Sequence, residues 1–218
     1  MSGYRSDSLS SVVFPQWEAR DCFQSSRQFL IHVAQLQDLE PLADVLTDSF
    51  HSADSWYRFL LPLLRMGIQE DLRGRLRNPA THQICLVAFA LQEPGGAIAP
   101  ASDLLRQGRL AGNLVGTVEI SERVCPLWHR RRGPYLYLSN LAVDASYRRM
   151  GVASQLLVAS EQVASMWRFR ELYLHVMEDN QAARTLYLNA GYRIQQAEMS
   201  LGTLLLGQPR QMLLRKTL

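Results

Sequence analysis

Two glycines punctuate the C-terminal third of this chain, and the alternation they mark narrows the fold more than any bulk property does. Tyr135 to Val143 (YLYLSNLAV) is an apolar run of strand character, and Val152, Leu156, Ala159, Val163 and Trp167 recur at helical spacing directly after Gly151. Glu171 to Met177 (ELYLHVM) reads as a strand, and Asn180 to Ala190 as a short helix stopped by Gly191 at the C′ position. Tyr192 to Leu201 and Gln211 to Arg215 read as closing strands. A strand–helix–strand succession implies a right-handed crossover between parallel neighbours.

The first half supplies the rest of a sheet. Phe29 to Val33 (FLIHV) is a short strand, and Leu39, Leu42, Ala43, Leu46 and Phe50 form the stripe of an amphipathic helix. A second helical stretch runs from Ser55 to Arg77 with Trp56, Phe59, Leu60, Leu63 and Leu64 on one side, a kink expected at Pro62 and a stop at Asn78-Pro79. Gln83 to Leu91 is a buried strand that pairs with Asn113 to Ser121. The Gly/Pro-rich connection from Glu93 to Arg109 is expected to be a flexible surface insertion, and a loop, ERVCPLWHRRRGP, leads to Tyr135. Residues 1–26 are polar, Ser-rich and aperiodic, a flexible arm before one domain spanning 27–218. The expected class is mixed α/β: a mostly antiparallel sheet of six or seven strands with about four helices.

Composition excludes several alternatives. At 218 residues, 47% hydrophobic and 20% charged, the chain fits one globular domain and neither a disordered nor a disulfide-built class. Cys22, Cys85 and Cys125 are odd in number and dispersed, and His32, His51 and His82 lack ligand spacing, so no metal site is expected. None of the three cysteines reads as a nucleophile. The longest apolar run, Ile84 to Leu91, is far short of the ~20 residues a spanning helix needs, so no membrane partner is expected. The start shows no signal peptide, and the cytoplasm is the expected compartment, or the plastid stroma in a photosynthetic eukaryote. A net charge of +3 does not predict nucleic-acid binding except through a ribosomal substrate, and His129–Arg132 reads as a solvated loop. Of 23 basic residues, all but Lys216 are arginine.

The chemistry is written at the two helix starts. Arg148-Arg149-Met150-Gly151-Val152-Ala153-Ser154 places small residues where the first helical amides lack partners, a natural cradle for an anion such as a diphosphate. It is neither a Walker loop nor GxGxxG. Downstream lies NQAARTLYLNAGY, with Asn180, Ala183, Leu186, Tyr187, Gly191 and Tyr192 in register. Together the two segments resemble the [RQ]xxGx[GA] and NxxAxxLYxxxGY/F motifs of the GCN5-related N-acetyltransferase (GNAT) superfamily, which binds acetyl-CoA. The narrower likeness is to plastid and cyanobacterial enzymes that acetylate protein N-terminal and lysine amines.

That resemblance implies a splayed sheet whose wedge takes the pantetheine arm of acetyl-CoA along Leu141, Ala142 and Val143. An amide there, Val143 above all, faces the thioester carbonyl. It implies that Arg148, Arg149, Gly151, Val152, Ala153 and Ser154 hold the pyrophosphate, and that Tyr187 protonates the leaving thiolate. Asn180 reads equally as a helix N-cap and as a cofactor contact. The base is left between His175, which aligns with Tyr137 as its partner, and Glu119, which could instead anchor the amine. The implied reaction is acetylation of protein or peptide amines by direct attack on acetyl-CoA in a ternary complex, without metal or a cysteine-bound acyl-enzyme. A small-amine acetyltransferase acting on a polyamine or aminoglycoside, or a non-enzymatic acyl-CoA sensor, are the alternatives.

Overall fold

The computed structural model describes residues 23–24, 29–49, 61–77, 80–91, 113–124, 133–198 and 209–218. The described strands are β1 (Phe23–Gln24), β2 (Phe29–Val33), β3 (Gln83–Ala90), β4 (Leu114–Val124), β5 (Pro134–Val143), β6 (Glu171–Met177), β7 (Arg193–Glu198) and β8 (Gln211–Thr217). The described helices are α1 (Leu39–Ser49), α2 (Leu61–Arg77), α3 (Val152–Met166) and α4 (Gln181–Asn189). One sheet orders them β1-β2-β3-β4-β5-β6-β8-β7. Every pairing is antiparallel except β5 with β6. The sheet therefore has the expected mixed character. It reaches eight strands only through two-residue β1, which pairs Phe23 with Ile31 and Gln24 with Leu30 inside the segment read as an arm.

Strand periodicity sends alternate residues to two cores. Leu86 and Ala88 of β3, Val118 and Ile120 of β4, Leu136 and Leu138 of β5 and Leu172 and Leu174 of β6 pack under α3 with Leu156, Leu157 and Val163. Val87 and Phe89 of β3 and Ala142 of β5 pack on the opposite face against Leu39, Leu42, Val45 and Leu46 of α1 and Leu72 of α2. Gly116 is where α3 comes closest to the sheet: a Cβ there would lie 2.8 Å from Val152 Cγ1 and 3.1 Å from the Ala142 carbonyl. Pro62 falls in the first described turn of α2, where its missing N–H interrupts no bond of the described helix. Trp56, Phe59 and Leu60, the Glu93–Arg109 connection, the His129–Arg132 loop, His51, Cys22 and Cys125 lie outside the described residues.

Two departures from regular sheet shape the site. β5 and β6 pair only at Leu136 with Leu172 and Tyr137 with Tyr173, and beyond Tyr137 the two strands diverge. β5 continues to Val143 with no partner strand on that side among the described residues, while β6 is fully paired with β8. The second departure is a bulge: Glu119 faces Ser139 and Thr117 faces Ala142, so β5 carries one residue more than β4. Asn140 sits in that bulge at φ 53°, a left-handed conformation that asparagine tolerates better than most side chains.

Candidate active site

The divergence of β5 from β6 opens a wedge, and two clefts meet there. The larger, about 680 Å³, runs from the wedge to the start of α3. Leu141, Ala142 and Val143 line it from β5, and Arg148, Arg149, Gly151, Val152, Ala153 and Ser154 line it from the turn and first helical residues. Asn180, Ala183 and Tyr187 close it from α4. The structure thus brings together in one cleft every residue that the sequence assigns to the cofactor.

The turn explains why this end is open. Asp144 accepts from Ser146 N–H at 2.8 Å and caps a single 3₁₀ turn at Ala145–Tyr147. Arg149 then adopts φ 63° and Gly151 φ 88°, and the second of these makes Gly151 the N-cap of α3. No described side chain caps that helix, so its first amides and the positive end of its dipole face the cleft. A Cβ at Gly151 would meet only Gln155 Nε2 at 3.9 Å, so glycine is required by the backbone angle rather than by crowding. Arg148 is tied back by its Nε, which donates to the Val143 carbonyl at 3.2 Å. A diphosphate fits this cradle: bare amides, a turn without bulk and two arginines at its rim.

The second cleft, about 470 Å³, lies on the α1 side of the wedge and shares Asn180 and Tyr187 with the first. Tyr137 and His175 line it, and the Tyr137 hydroxyl lies 2.8 Å from His175 Nδ1. This side-chain bond spans the wedge just where backbone pairing between β5 and β6 stops. Leu46 and Ser49 of α1, Ser139 and Asn140 of the bulge, Met177 of β6 and Gln211 complete much of the wall. Among the described residues that line it, none is an aspartate, glutamate, lysine or arginine.

Tyr187 is placed by the end of its own helix. Gly191 N–H donates to the Leu188 carbonyl and Tyr192 N–H to the Tyr187 carbonyl, both at 3.0 Å, with Gly191 at φ 89°. This is a Schellman motif, and its usual apolar contact is the T-shaped packing of Tyr192 on Tyr187, centroids 5.9 Å apart. The GY pair of the sequence therefore locks the tyrosine four residues before it. Tyr187 is 8% exposed, and burial, with the Tyr137 phenol as a lesser cause, pushes its hydroxyl up to about 12. It keeps its proton throughout the physiological range. Asn180 caps α4, its Oδ1 accepting from Ala183 N–H at 3.1 Å, and also lines both clefts, so its two readings are compatible.

Glu119 is elsewhere. It lines neither cleft and is 3% exposed beneath α2. Arg75 Nη1 donates to both its oxygens at 2.6 Å, Gln83 Nε2 to Oε1 at 2.8 Å and Asn140 Nδ2 to Oε2 at 2.9 Å. Four hydrogen bonds from three donor groups leave the two oxygens little capacity to take a substrate proton. The pair anchors α2 to the sheet and, through Asn140, the bulge. Ser49, Asn140 and Gln211 were not among the sequence candidates; Asn140 alone carried a signal, a polar residue interrupting an apolar strand. Among the described residues no cluster of His, Cys, Asp or Glu could hold a metal, and no helix is long and apolar enough to cross a membrane.

Comparison with known proteins bears on this geometry. Residues 68–192 match the family described as the Acetyltransferase (GNAT) family. GCN5-related N-acetyltransferase 4, chloroplastic, of Arabidopsis thaliana is 31% identical over 77% of this chain and 62% of its own length. GCN5-related N-acetyltransferase 10, chloroplastic, of the same plant is 42% identical over 38% of this chain and 32% of its own length. The chain thus spans between a third and two thirds of these relatives. The crystal structure of Arabidopsis thaliana NAA60 in complex with acetyl-CoA superposes with a TM-score of 0.58 at 17% identity, covering 87% of this chain and 98% of that one, a likeness of fold.

Proposed function

Because the chain belongs to the GNAT acetyltransferase family, we propose that it transfers the acetyl group of acetyl-CoA to amines of proteins or peptides, at the N-terminal α-amine, a lysine ε-amine or both. The observation that carries this reading is the Tyr137–His175 hydrogen bond set across the mouth of the wedge from a protonated Tyr187. An imidazole on one side and a phenol that retains its proton on the other divide the labour of acyl transfer.

Acetyl-CoA bound along the larger cleft would supply the thioester. The α3 amides with Arg148 and Arg149 hold its pyrophosphate, and the β5 backbone at Leu141–Val143, unpaired on the wedge side, binds its arm. Val143 N–H is placed to donate to the thioester oxygen as it gains negative charge. His175, oriented by Tyr137, accepts the proton of the amine as its nitrogen bonds to the acyl carbon. The carbon–sulfur bond breaks, and the departing thiolate takes its proton from the Tyr187 hydroxyl. Holding both reactants in one wedge supplies much of the rate. No thiol is needed: Cys85 is half-buried, its sulfur lies 3.3 Å from the Thr117 hydroxyl, and desolvation of the thiol pushes it up to about 12. His175 serves this scheme better than Glu119, whose oxygens are already committed to Arg75, Gln83 and Asn140.

The absence of carboxylates among the described residues that line the smaller cleft weighs against a polycationic substrate, which would need them, and for the neutral backbone of a peptide. A pure acyl-CoA sensor has no use for the Tyr137–His175 pair. The chloroplast designation of the relatives supports the plastid stroma over the cytoplasm as the working compartment. Incubation with acetyl-CoA, a proteome-derived peptide library and a panel of polyamines and aminoglycosides, read by mass spectrometry, tests the proposal. Acetylated peptides are expected; acetylation confined to the small amines would refute it.

A further inference from the structure

Arg123 lies near the solvent end of β4, yet its guanidinium carbon stands 3.6 Å from the centroid of the Tyr137 ring. The register explains the contact. Ser121 faces Tyr137 and Arg123 faces Tyr135, so Arg123 shares a sheet face with Ser121 and leans back over the phenol of the next pair. Among the described residues no carboxylate pairs with it, whereas Arg75 is bound to Glu119 and Asp71, and Arg215 to Glu171.

The other described groups around Tyr137 and His175 carry little net charge. From α4 comes Tyr187, neutral at working pH. From α1 come Leu46 and Ser49, and from β8 come Gln211 and Leu213, the residue opposite His175. Glu119, further along β4, is offset by Arg75; Tyr173 and Arg215, toward the far end of β6 and β8, both bond Glu171. Arg123 is thus the uncompensated charge nearest the pair among the described residues.

We propose that Arg123 is a positioning residue of the proton-accepting pair: its cation pins the Tyr137 ring and favours the proton-free, accepting form of His175. A guanidinium over an aromatic face is attracted by the ring quadrupole, which fixes the phenol edge toward His175. The same positive charge opposes a second one on the neighbouring imidazole, so the base is freed at lower pH. This rests on the assignment of Tyr137–His175 as the base under Proposed function.

The test is the pH dependence of kcat/KM on a peptide substrate for the full chain and for Arg123→Ala, Arg123→Lys and His175→Ala. Removing the cation should move the acid limb of Arg123→Ala toward higher pH by about 0.5–1. Below the limb kcat/KM then falls about three- to tenfold, while the high-pH plateau stays within about twofold. Arg123→Lys should recover most of the shift. About 0.5 M salt should move the wild-type limb in the same direction and leave that of Arg123→Ala in place. A lowered plateau with an unmoved limb would give Arg123 a structural role only and overturn the inference. His175→Ala separates the two claims. A limb that survives it refutes the base assignment; a limb lost there but unmoved in Arg123→Ala leaves that assignment standing and removes Arg123 alone.

Discussion

Tyr187→Phe isolates the acid step with little structural disturbance. The substitution deletes one oxygen and keeps the ring, its burial and its T-shaped contact with Tyr192 at 5.9 Å. With the hydroxyl held up to about 12, essentially every wild-type molecule carries the proton at neutral pH, so availability does not limit the step. Strength does. An ordinary thiol titrates near ~8.5, so handing over the proton is uphill unless it accompanies carbon–sulfur cleavage. General acids contribute about 10²–10⁴-fold, and a reluctant donor belongs at the lower end. The expected loss in kcat is therefore about 100-fold, or about 2.7 kcal/mol of barrier. Acetyl-CoA affinity, which the proposal assigns to the α3 cradle, should change less than about threefold, or about 0.6 kcal/mol. Thiol-coupled detection of CoA release gives kcat, and calorimetry gives affinity. The kcat plateau of the wild type should show no fall from Tyr187 ionisation until the pH approaches 12. An unchanged kcat would remove Tyr187 as the acid. A parallel loss in kcat and affinity would make it a binding residue instead.

Other substitutions probe the scaffold. Gly151→Ala places an L side chain at φ 88° and should cost about 1–2 kcal/mol while weakening acetyl-CoA binding; loss of stability with unaltered affinity would argue against the anion cradle. Gly116→Ala drives a methyl to 2.8 Å from Val152 Cγ1 and should cost about 1–3 kcal/mol, a Tm loss of several degrees by scanning calorimetry. The Cys85 thiol, raised to about 12 from 9.0, should resist alkylation at pH 8 in the folded protein and react once unfolded, as peptide mapping would show. The sign of the linkage follows. Because its folded value lies above the unfolded one, the thiol's contribution to stability is complete below about pH 9 and is lost as the pH rises towards about 12. Lys216, paired with Glu161 at 2.5 Å and 21% exposed at the end of β8 away from His175, should remain unacetylated when the enzyme is incubated with acetyl-CoA. Intact-mass analysis with peptide mapping reads this directly.

What could be read from the sequence was what local rules govern. Gly151 and Gly191 mark helix boundaries because their backbone angles demand glycine, and Asn180 marks one because its side chain satisfies an orphan amide. β2 falls on Phe29–Val33 as expected because an apolar run bounded by polar residues has one natural reading. The anion turn and the LYxxxGY segment both line the larger cleft, whereas Ser49, which lines it too, carried no signal. Contacts across long separations were not legible. Nothing around Arg75 announces that it binds Glu119, forty-four residues away, and Glu119 alone looked like a free acid. β4 extends past Ser121 to Val124 because Glu122 and Arg123 continue pairing with β5 despite their charge. Arg123 reaches Tyr137 only through that extension. The bulge at Asn140 depends on the register between two strands, which no single segment specifies.

The most direct test is stoichiometric. With acetyl-CoA and a peptide bearing a free amine, CoA release and acetyl appearing on the peptide are measured in the same reaction. The account predicts one thiol released per acetyl group gained at nitrogen, with both rates falling together in Tyr187→Phe and His175→Ala. CoA release without peptide acetylation, or transfer undiminished in both variants, would contradict it.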